Sequence, residues 1–482
     1  MKKDTFLLNG LLTIVILITT NSVFGQRHME TLTRGLVAVN QGNGHVFISW
    51  RLFGTDPEGL AFNLYRRSAG KTVRLNKKQI AGGSNYVDSA VVLDHAVSYF
   101  VKPVLKNKEL GASAPFTLQQ NSPVRQYLSV PLAPPSGGMI NGKKYSYSAN
   151  DMSIGDVDGD GQYELILKWT PSNAKNPPQT GLTAPVFIDA YKINGRRLWR
   201  IDLGKNIRAG AAYTQLLVYD FDGDGKAEML IKTADGTVDG LGRSIGDSTK
   251  DWRTLSDPKS PFYGKIVNGP EYLTMFSGQT GEALATTNYI PDRYPLDGWG
   301  GIGGNGNNDT TGGRSDRFTA CIAYLDGVHP SGVFVRGWYG RSALAAFDYR
   351  NRKLTLRWLF DSRDAKNPYS GMGNHNLSVG DVDGDGKDEI CIGAMTVDDN
   401  GKGLYTTGLR HGDAMHMTVM DPARPELEEV FGIHENEGKT IKLKTPGVAM
   451  FNAKTGALLW GIGPGVDVGR GVSADIDPSH SG

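Results

Sequence analysis

The stretch DVDGDGQYELILKW, residues 156–169, joins an acidic, glycine-rich loop to an apolar run. It returns as DFDGDGKAEMLIKT from Asp220 and as DVDGDGKDEICIGA from Asp381. An EF-hand would place a bidentate Glu at the twelfth position of such a loop, between two helices. The twelfth residue from Asp156 is Leu167, and the flanking runs are of strand type. Each copy instead carries a Glu at the ninth position: Glu164, Glu228 and Glu389. The first, third and fifth positions are Asp156, Asp158 and Asp160 in the first copy, Asp220, Asp222 and Asp224 in the second, and Asp381, Asp383 and Asp385 in the third. With the main-chain carbonyl of the seventh residue (Gln162, Lys226 or Lys387), these groups supply the oxygen ligands that a hard cation takes. So many like charges in one short loop repel unless a cation lies among them. The reading is several Ca2+ ions, each clipping a hairpin; a solvated acidic turn that binds nothing is the alternative. A fully ligated ion leaves no open position for substrate, so the expected role is structural.

A second kind of hairpin alternates with the first: strand, turn with Gly or Asn, then a strand that often ends in Trp. It is spelled FIDAYKINGRRLWRI, LTMFSGQTGEALATT, LAAFDYRNRKLTLRW and VAMFNAKTGALLWGI. Degenerate acidic loops stand at Asp326, Asp421 and Asp475. One acidic hairpin plus one Trp hairpin makes a four-stranded unit, and roughly 40–50 residues per unit is the period of a β-propeller blade. Long glycine-rich insertions, residues 237–271 and GWGGIGGNGNNDTTGGRSDR, put extended loops on the scaffold, where function usually sits. Upstream, short alternating segments such as HVFISWRL, FNLYRRS and VSYFVKPVL predict a β-sandwich, with a Trp50, Tyr65 and Tyr99 spacing that resembles a fibronectin type III module. The connector VPLAPPSGGMINGKKY marks a boundary near residue 131. The predicted division is a signal peptide over 1–25, a fibronectin III-like sandwich over 27–130 and a propeller over 131–482, an all-β chain.

The 482 residues are 39% hydrophobic, enough for packed cores, and 52 basic side chains against 50 acidic ones leave a net charge of +2. That balance gives no electrostatic footprint for nucleic acid. Lys2 and Lys3, the apolar FLLNGLLTIVILITT and the small-residue exit NSVFG read as a secretory signal ending before Gln26. No later run is long and apolar enough to span a bilayer. The expectation is an exported monomer, periplasmic or extracellular. Cys321 and Cys391 lie in strand-like contexts and read as buried free thiols.

The strings YSYSANDMSIGDVDGDGQYELILKW, LWRIDLGKNIRAGAAYTQLLVYDFDGDGKAE, GLYTTGLRHGDAMHM and DVGRGVSADIDP resemble the rhamnogalacturonan lyases of polysaccharide lyase family eleven. The resemblance covers nearly all of the chain after the signal. It implies a small N-terminal β domain, an eight-bladed calcium-bearing propeller, and cleavage of the rhamnose–galacturonic acid backbone of the pectic polysaccharide rhamnogalacturonan I by β-elimination. Residue by residue, Asn150 matches a sugar-contacting Asn and Arg470, in DVGRG, matches an Arg suited to grip a uronate; an ion pair within the blade is its plainer reading. His375, in GNHN, and His416, in RHGDAMH with His411 and Asp413, are candidates for the base, with metal ligation or packing as alternatives. Trp169 offers a ring for sugar stacking or for the core.

The chain departs from the family pattern in two places. Thr170 and Asn176 stand where the family carries acids, so a substrate contact is altered. The sequence also ends at ADIDPSHSG after about five blades at the blade period, before an NNGTK-like string whose lysine is a family candidate for base or carboxylate ligand. A non-catalytic, calcium-stabilised pectin-binding propeller is therefore the competing expectation. A calcium-dependent adhesion propeller explains only the acidic loops.

Overall fold

The computed structural model describes residues 27–300, 309–363, 366–421, 423, 429–434, 444–463, 468–474, 477 and 479. The signal sequence expected over 1–25 and the acidic position Asp475 lie outside them. Among the described residues there is no α-helix, and no helix is long and apolar enough to cross a membrane. The chain is all-β, in antiparallel sheets.

Near the N-terminus, Val37–Gly42, His45–Ser49 and Asn85–Asp88 form one sheet. Ala61–Ser68 and Val97–Leu105 centre a second, with Lys71–Arg74, Lys108–Glu109 and Phe116–Leu118 beside them. Val46 and Ile48 alternate with half-exposed neighbours and meet Phe62, Leu64, Tyr99 and Val101 of the other sheet in one core. Trp50 closes that core, its ring 5.4 Å from Phe62.

Among the described residues a two-stranded sheet, Gly138–Ile140 with Lys143–Tyr145, comes next, and five larger sheets follow in sequence order. The first contains Tyr147–Gly155, Glu164–Pro171, Phe187–Tyr191 and Arg197–Asp202, extended by Thr237–Val238 and Ser244–Ile245. The second contains Leu216–Tyr219, Glu228–Thr233, Tyr272–Ser277 and Ala283–Asn288, and the third Phe318–Ala323, Ser331–Arg336, Ala343–Arg350 and Lys353–Asp361. The fourth is Ser378–Gly380, Glu389–Cys391, Met395–Val397 and Gly403–Thr406, and the fifth Gly412–Thr418, Glu429–His434, Val448–Asn452 and Leu458–Ile462. Each begins with the acidic-type hairpin and ends with the second hairpin type.

Burial explains why these sheets stack. Every residue of Glu228–Thr233 and of Ser331–Arg336 is buried, as a strand covered on both faces must be. Met229 and Ile231 pack on Ile166 and Ile188 of the first sheet, while Leu230 between them packs on Phe334 and Phe347 of the third. Val333 and Val335 in turn face Ile390, Cys391 and Met395 of the fourth. Each such side chain contributes about 1.5–3 kcal/mol by leaving water. The first strands of successive sheets neighbour one another along the run. Cys321 and Cys391 are buried free thiols.

The repeated Trp has a specific partner. Trp199, on the last strand of the first sheet's main run, donates its indole N–H to the Gly278 carbonyl in the next sheet's turn, 2.6 Å away. Trp358 of the third sheet does the same to Asp399 of the fourth at 2.7 Å. Each indole latches one sheet to the turn of its successor.

Candidate functional site

The three acidic loops fold alike because the loop's own N–H groups gather around the first Asp. Asp156 Oδ1 accepts from Gly159 and Asp160 at 2.8 and 3.1 Å, and its Oδ2 from Gly161 at 2.6 Å. Asp220 takes the same donors, Gly223, Asp224 and Gly225, and Asp381 takes Gly384, Asp385 and Gly386. The ninth residue turns back: Glu164, Glu228 and Glu389 accept from Val157, Phe221 and Val382 at 2.9, 2.9 and 2.8 Å. One oxygen of each Glu is thereby fixed and the other is aimed among the loop carboxylates. In the third loop that atom, Glu389 Oε1, is buried with no hydrogen-bond partner, and in the first Asp158 Oδ1 is likewise orphaned. Burial, then the neighbouring carboxylates, pushes Glu228 up to about 9 and Glu389 up to about 8. An all-oxygen set with orphaned buried acceptors and mutually repelling carboxylates fits a hard cation, which these residues would hold.

The remaining candidates lie at the other end of the strands. The acidic loops join the first and second strands of their sheets, whereas these residues precede a first strand, follow a second, or stand at a break in register. Asn150 is exposed at an irregularity in Tyr147–Gly155, and Thr170 lies next to the end of the following strand, opposite Ser148. With Lys175, Asn176, Gln179, Gly210 and Ala211 they line a cavity of about 200 Å³. Ala212, next to that cavity, receives the Phe318 N–H at 3.1 Å, which brings Arg317 and Arg314 alongside. Arg314 lies 3.7 Å over the ring of Tyr339 and Arg317 lies 5.4 Å from it. The Tyr339 hydroxyl is 3.1 Å from His375 Nε2.

His375 sits with His411 and Asp413. The imidazoles are 5.0 Å apart, and His375 Nε2 is 3.2 Å from Asp413 Oδ1. Arg470 pairs with the other oxygen of the same carboxylate. His411 is fully buried, its Nδ1 2.6 Å from the Gly373 carbonyl. A parallel bridge between Asn374 and Gly412 holds the two histidine segments side by side. Burial, followed by the charge of His411, lowers the His375 pKa to about 4 against the opposing pull of Asp413. The imidazole is therefore neutral at neutral pH; a proton on Nε2 directed at Asp413 leaves Nδ1 with the lone pair.

The structure thus brings Arg470 and His375 together around Asp413 and sets Asn150 beside Thr170. His416 falls outside this group: it lies three residues beyond Asp413 along a strand, about 10 Å further on. Trp169 is corrected. It is 3% exposed, and its indole N–H donates to Asp189 at 2.8 Å, so its ring belongs to the core rather than to a sugar-facing surface. Its neighbour Lys168, also buried, reaches the exposed Asp151 instead. Tyr339, Arg314 and Arg317 were not among the expected residues; the cluster GWYGR, with two aromatics between glycines ahead of an Arg, was the available signal.

Two family models match the chain: the C-terminal domain of rhamnogalacturonan lyase family 11 over residues 127–482, and the rhamnogalacturonan I lyase beta-sheet domain over residues 27–118. The chain is 52% identical over 459 residues to the rhamnogalacturonan exolyase YesX of Bacillus subtilis (strain 168), covering 95% of this chain and 70% of that protein. It is 49% identical over 458 residues to the rhamnogalacturonan endolyase YesW of the same organism, covering 95% and 68%. The crystal structure of exotype rhamnogalacturonan lyase YesX superposes with a TM-score of 0.84 over 95% of this chain and 71% of that one. A Bacillus licheniformis rhamnogalacturonan lyase gives 0.84 at 52% identity, over 95% and 73%.

Proposed function

The chain belongs to rhamnogalacturonan lyase family 11, and on that footing we propose that it cleaves the rhamnose–galacturonic acid backbone of rhamnogalacturonan I by β-elimination. The observation that carries the reading is the convergence of Arg470 and His375 on Asp413, at the strand ends opposite the acidic loops, in a chain that its family models match over 27–118 and 127–482.

The reaction removes the C5 proton of a galacturonate while the C4–O4 bond breaks, leaving a C4–C5 double bond and a rhamnose-terminated product whose departing oxygen takes up a proton from solvent. That proton is acidic enough only when the adjacent carboxylate is neutralised. Arg470 is the side chain proposed to do this: its guanidinium is largely exposed, pairs with Asp413 at rest, and can grip a uronate bidentately. His375 is the proposed base, receiving the C5 proton on Nδ1 while Asp413 orients the ring. Asn150 and Thr170 would bind sugar hydroxyls in the neighbouring cavity. No water is consumed, so no glycosidase-type carboxylate pair is needed.

The scaffold reading has two parts. The sheets over 131–482 are read as blades of a calcium-stabilised β-propeller, supported by the neighbouring first strands and the alternating cores. Residues 27–130 are read as a fibronectin III-like sandwich, supported by the core its two sheets share. Calcium is the cation proposed for Asp156 to Glu164, Asp220 to Glu228 and Asp381 to Glu389. The chain is read as exported on the strength of its apolar leader.

The test is direct. The purified chain with rhamnogalacturonan I and calcium should raise the ultraviolet absorbance of the unsaturated product. Binding without absorbance would replace the lyase with a pectin-binding protein.

A further inference from the structure

The three loops match in sequence, and the residue facing their ninth position from the neighbouring strand does not. Leu165 pairs with Tyr191, which sets Lys192 beside Glu164; Glu228 pairs directly with Ser277; Ile390 pairs with Val397, which sets Asp398 beside Glu389. One register position therefore holds an ammonium, a hydroxyl and a carboxylate in turn.

The side chains act on this difference. Lys192 Nζ lies 2.7 Å from Asp158 Oδ2, 2.9 Å from Asp160 Oδ2 and 2.9 Å from Glu164 Oε1, so the first loop carries a built-in cation on three of its carboxylates. Asp158 Oδ1 keeps no hydrogen-bond partner, and the first Asp is held by the loop's own N–H groups. Ser277 adds no charge to the second loop. In the third, Asp398 groups with Asp383 and Glu389, each offering an oxygen within 4.8 Å of the others, and the buried Glu389 Oε1 has no hydrogen-bond partner there. Lys387 lies on Asp385 and Asp399, 2.9 and 3.3 Å away, so it balances the fifth-position carboxylate of the third loop, while Asp398 adds its charge beside Asp383 and Glu389.

We infer that the residue across from the ninth position grades the three loops for divalent cations, with Asp398 a further ligand of the third site and Lys192 an internal competitor at the first. The inference rests on the calcium reading above and deepens it. Ligand charge and number set the affinity of an oxygen site. Two charges of opposite sign at one position, acting on a divalent ion a few ångströms away, separate the loops by well over tenfold each. Loop three should fill first and loop one last.

The experiment is calcium titration of the chelator-treated full chain by calorimetry, with bound ions counted by native mass spectrometry. Asp158→Asn, Asp222→Asn and Asp383→Asn each assign a binding step to a loop. Lys192→Ser should tighten the first loop's step at least about tenfold, or create one where the wild type shows none, and Asp398→Ser should weaken the third loop's step by a similar factor. Unchanged titrations in both variants would overturn the grading, as would a first loop that fills before the third. If none of the three Asn variants removes a step, and chelation leaves the melting temperature where it was, the calcium reading itself fails; that result is separate from failure of the grading.

Discussion

Asp413 holds two functional candidates at once: the His375 imidazole on one oxygen and the Arg470 guanidinium on the other. Replacing it with Asn removes the charge that orients His375 and frees Arg470 from its resting partner. Asp413→Asn should lower kcat by about a hundredfold or more, the scale of a general base, while KM changes little. Arg470→Lys should act mainly through loss of the bidentate grip and shift both constants. Steady-state kinetics on rhamnogalacturonan I separates the two outcomes, and an Asp413→Asn variant with wild-type kcat would remove His375 from the mechanism. His375 also predicts a pH dependence. Its pKa in the fold, about 4, lies below its ordinary 6.5, so the unfolded chain binds the proton more readily. The stability it contributes is complete above pH 6.5 and is lost as pH falls from there toward about 4. Melting temperatures across that window should fall less steeply in His375→Asn than in the parent chain.

Between elements, the Trp latches set the spacing of the sheets. Trp358 spans to the Asp399 carbonyl, and Gly401 in the same turn lies beneath its ring: a Cβ at Gly401 would stand 2.7 Å from the indole, on a backbone with φ of 78°. Trp358→Phe should cost about 1 kcal/mol, one partly buried hydrogen bond. Gly401→Ala should cost more, about 1–3 kcal/mol, because the backbone conformation and the ring both oppose it. Urea denaturation of the two variants orders these costs, and the reverse order would show that the hydrogen bond rather than the close approach carries the latch. These hairpins were legible in the sequence because their signals are local: the turn residues, the period-two burial and the recurring Trp all fall within a few residues. The acidic loops were legible for the same reason. What the sequence did not show is which separate segments meet. Tyr339, Arg314 and Arg317 reach His375 only through the stacking of the third and fourth sheets, and the cross-strand contrast of Lys192, Ser277 and Asp398 needs the register. Trp169 was ambiguous because a strand end looks exposed until Asp189, two strand positions from Tyr191, is seen to take the indole N–H.

Across the run of sheets, the second and third are tied by a buried ionic cluster as well as by apolar packing. Glu271, just before Tyr272–Ser277 of the second sheet, accepts on both its oxygens from the single Nη2 of Arg336 of the third sheet, at 2.6 and 2.8 Å. It also meets Lys232 at 2.6 Å and Arg293 at 2.9 Å. Burial alone would raise its pKa, but the three cations hold it well below the usual carboxylate range. The cations depend on it in return: burial pushes Lys232 downward, and Glu271 is the first group pulling it back. Glu271→Gln keeps the shape and removes the one charge that all three share. The cost should be about 3–5 kcal/mol, the scale for breaking a buried ion pair from one side. A second substitution that also removes one cation, Arg336→Met in the Glu271→Gln background, should return part of that loss, since fewer charges remain buried without a partner. Chemical denaturation of the two single variants and the double variant closes the cycle. If Glu271→Gln unfolds at the parent's midpoint, the second and third sheets are joined by their apolar faces, Leu230 against Phe334 and Phe347, and the charged cluster adds nothing to their cohesion.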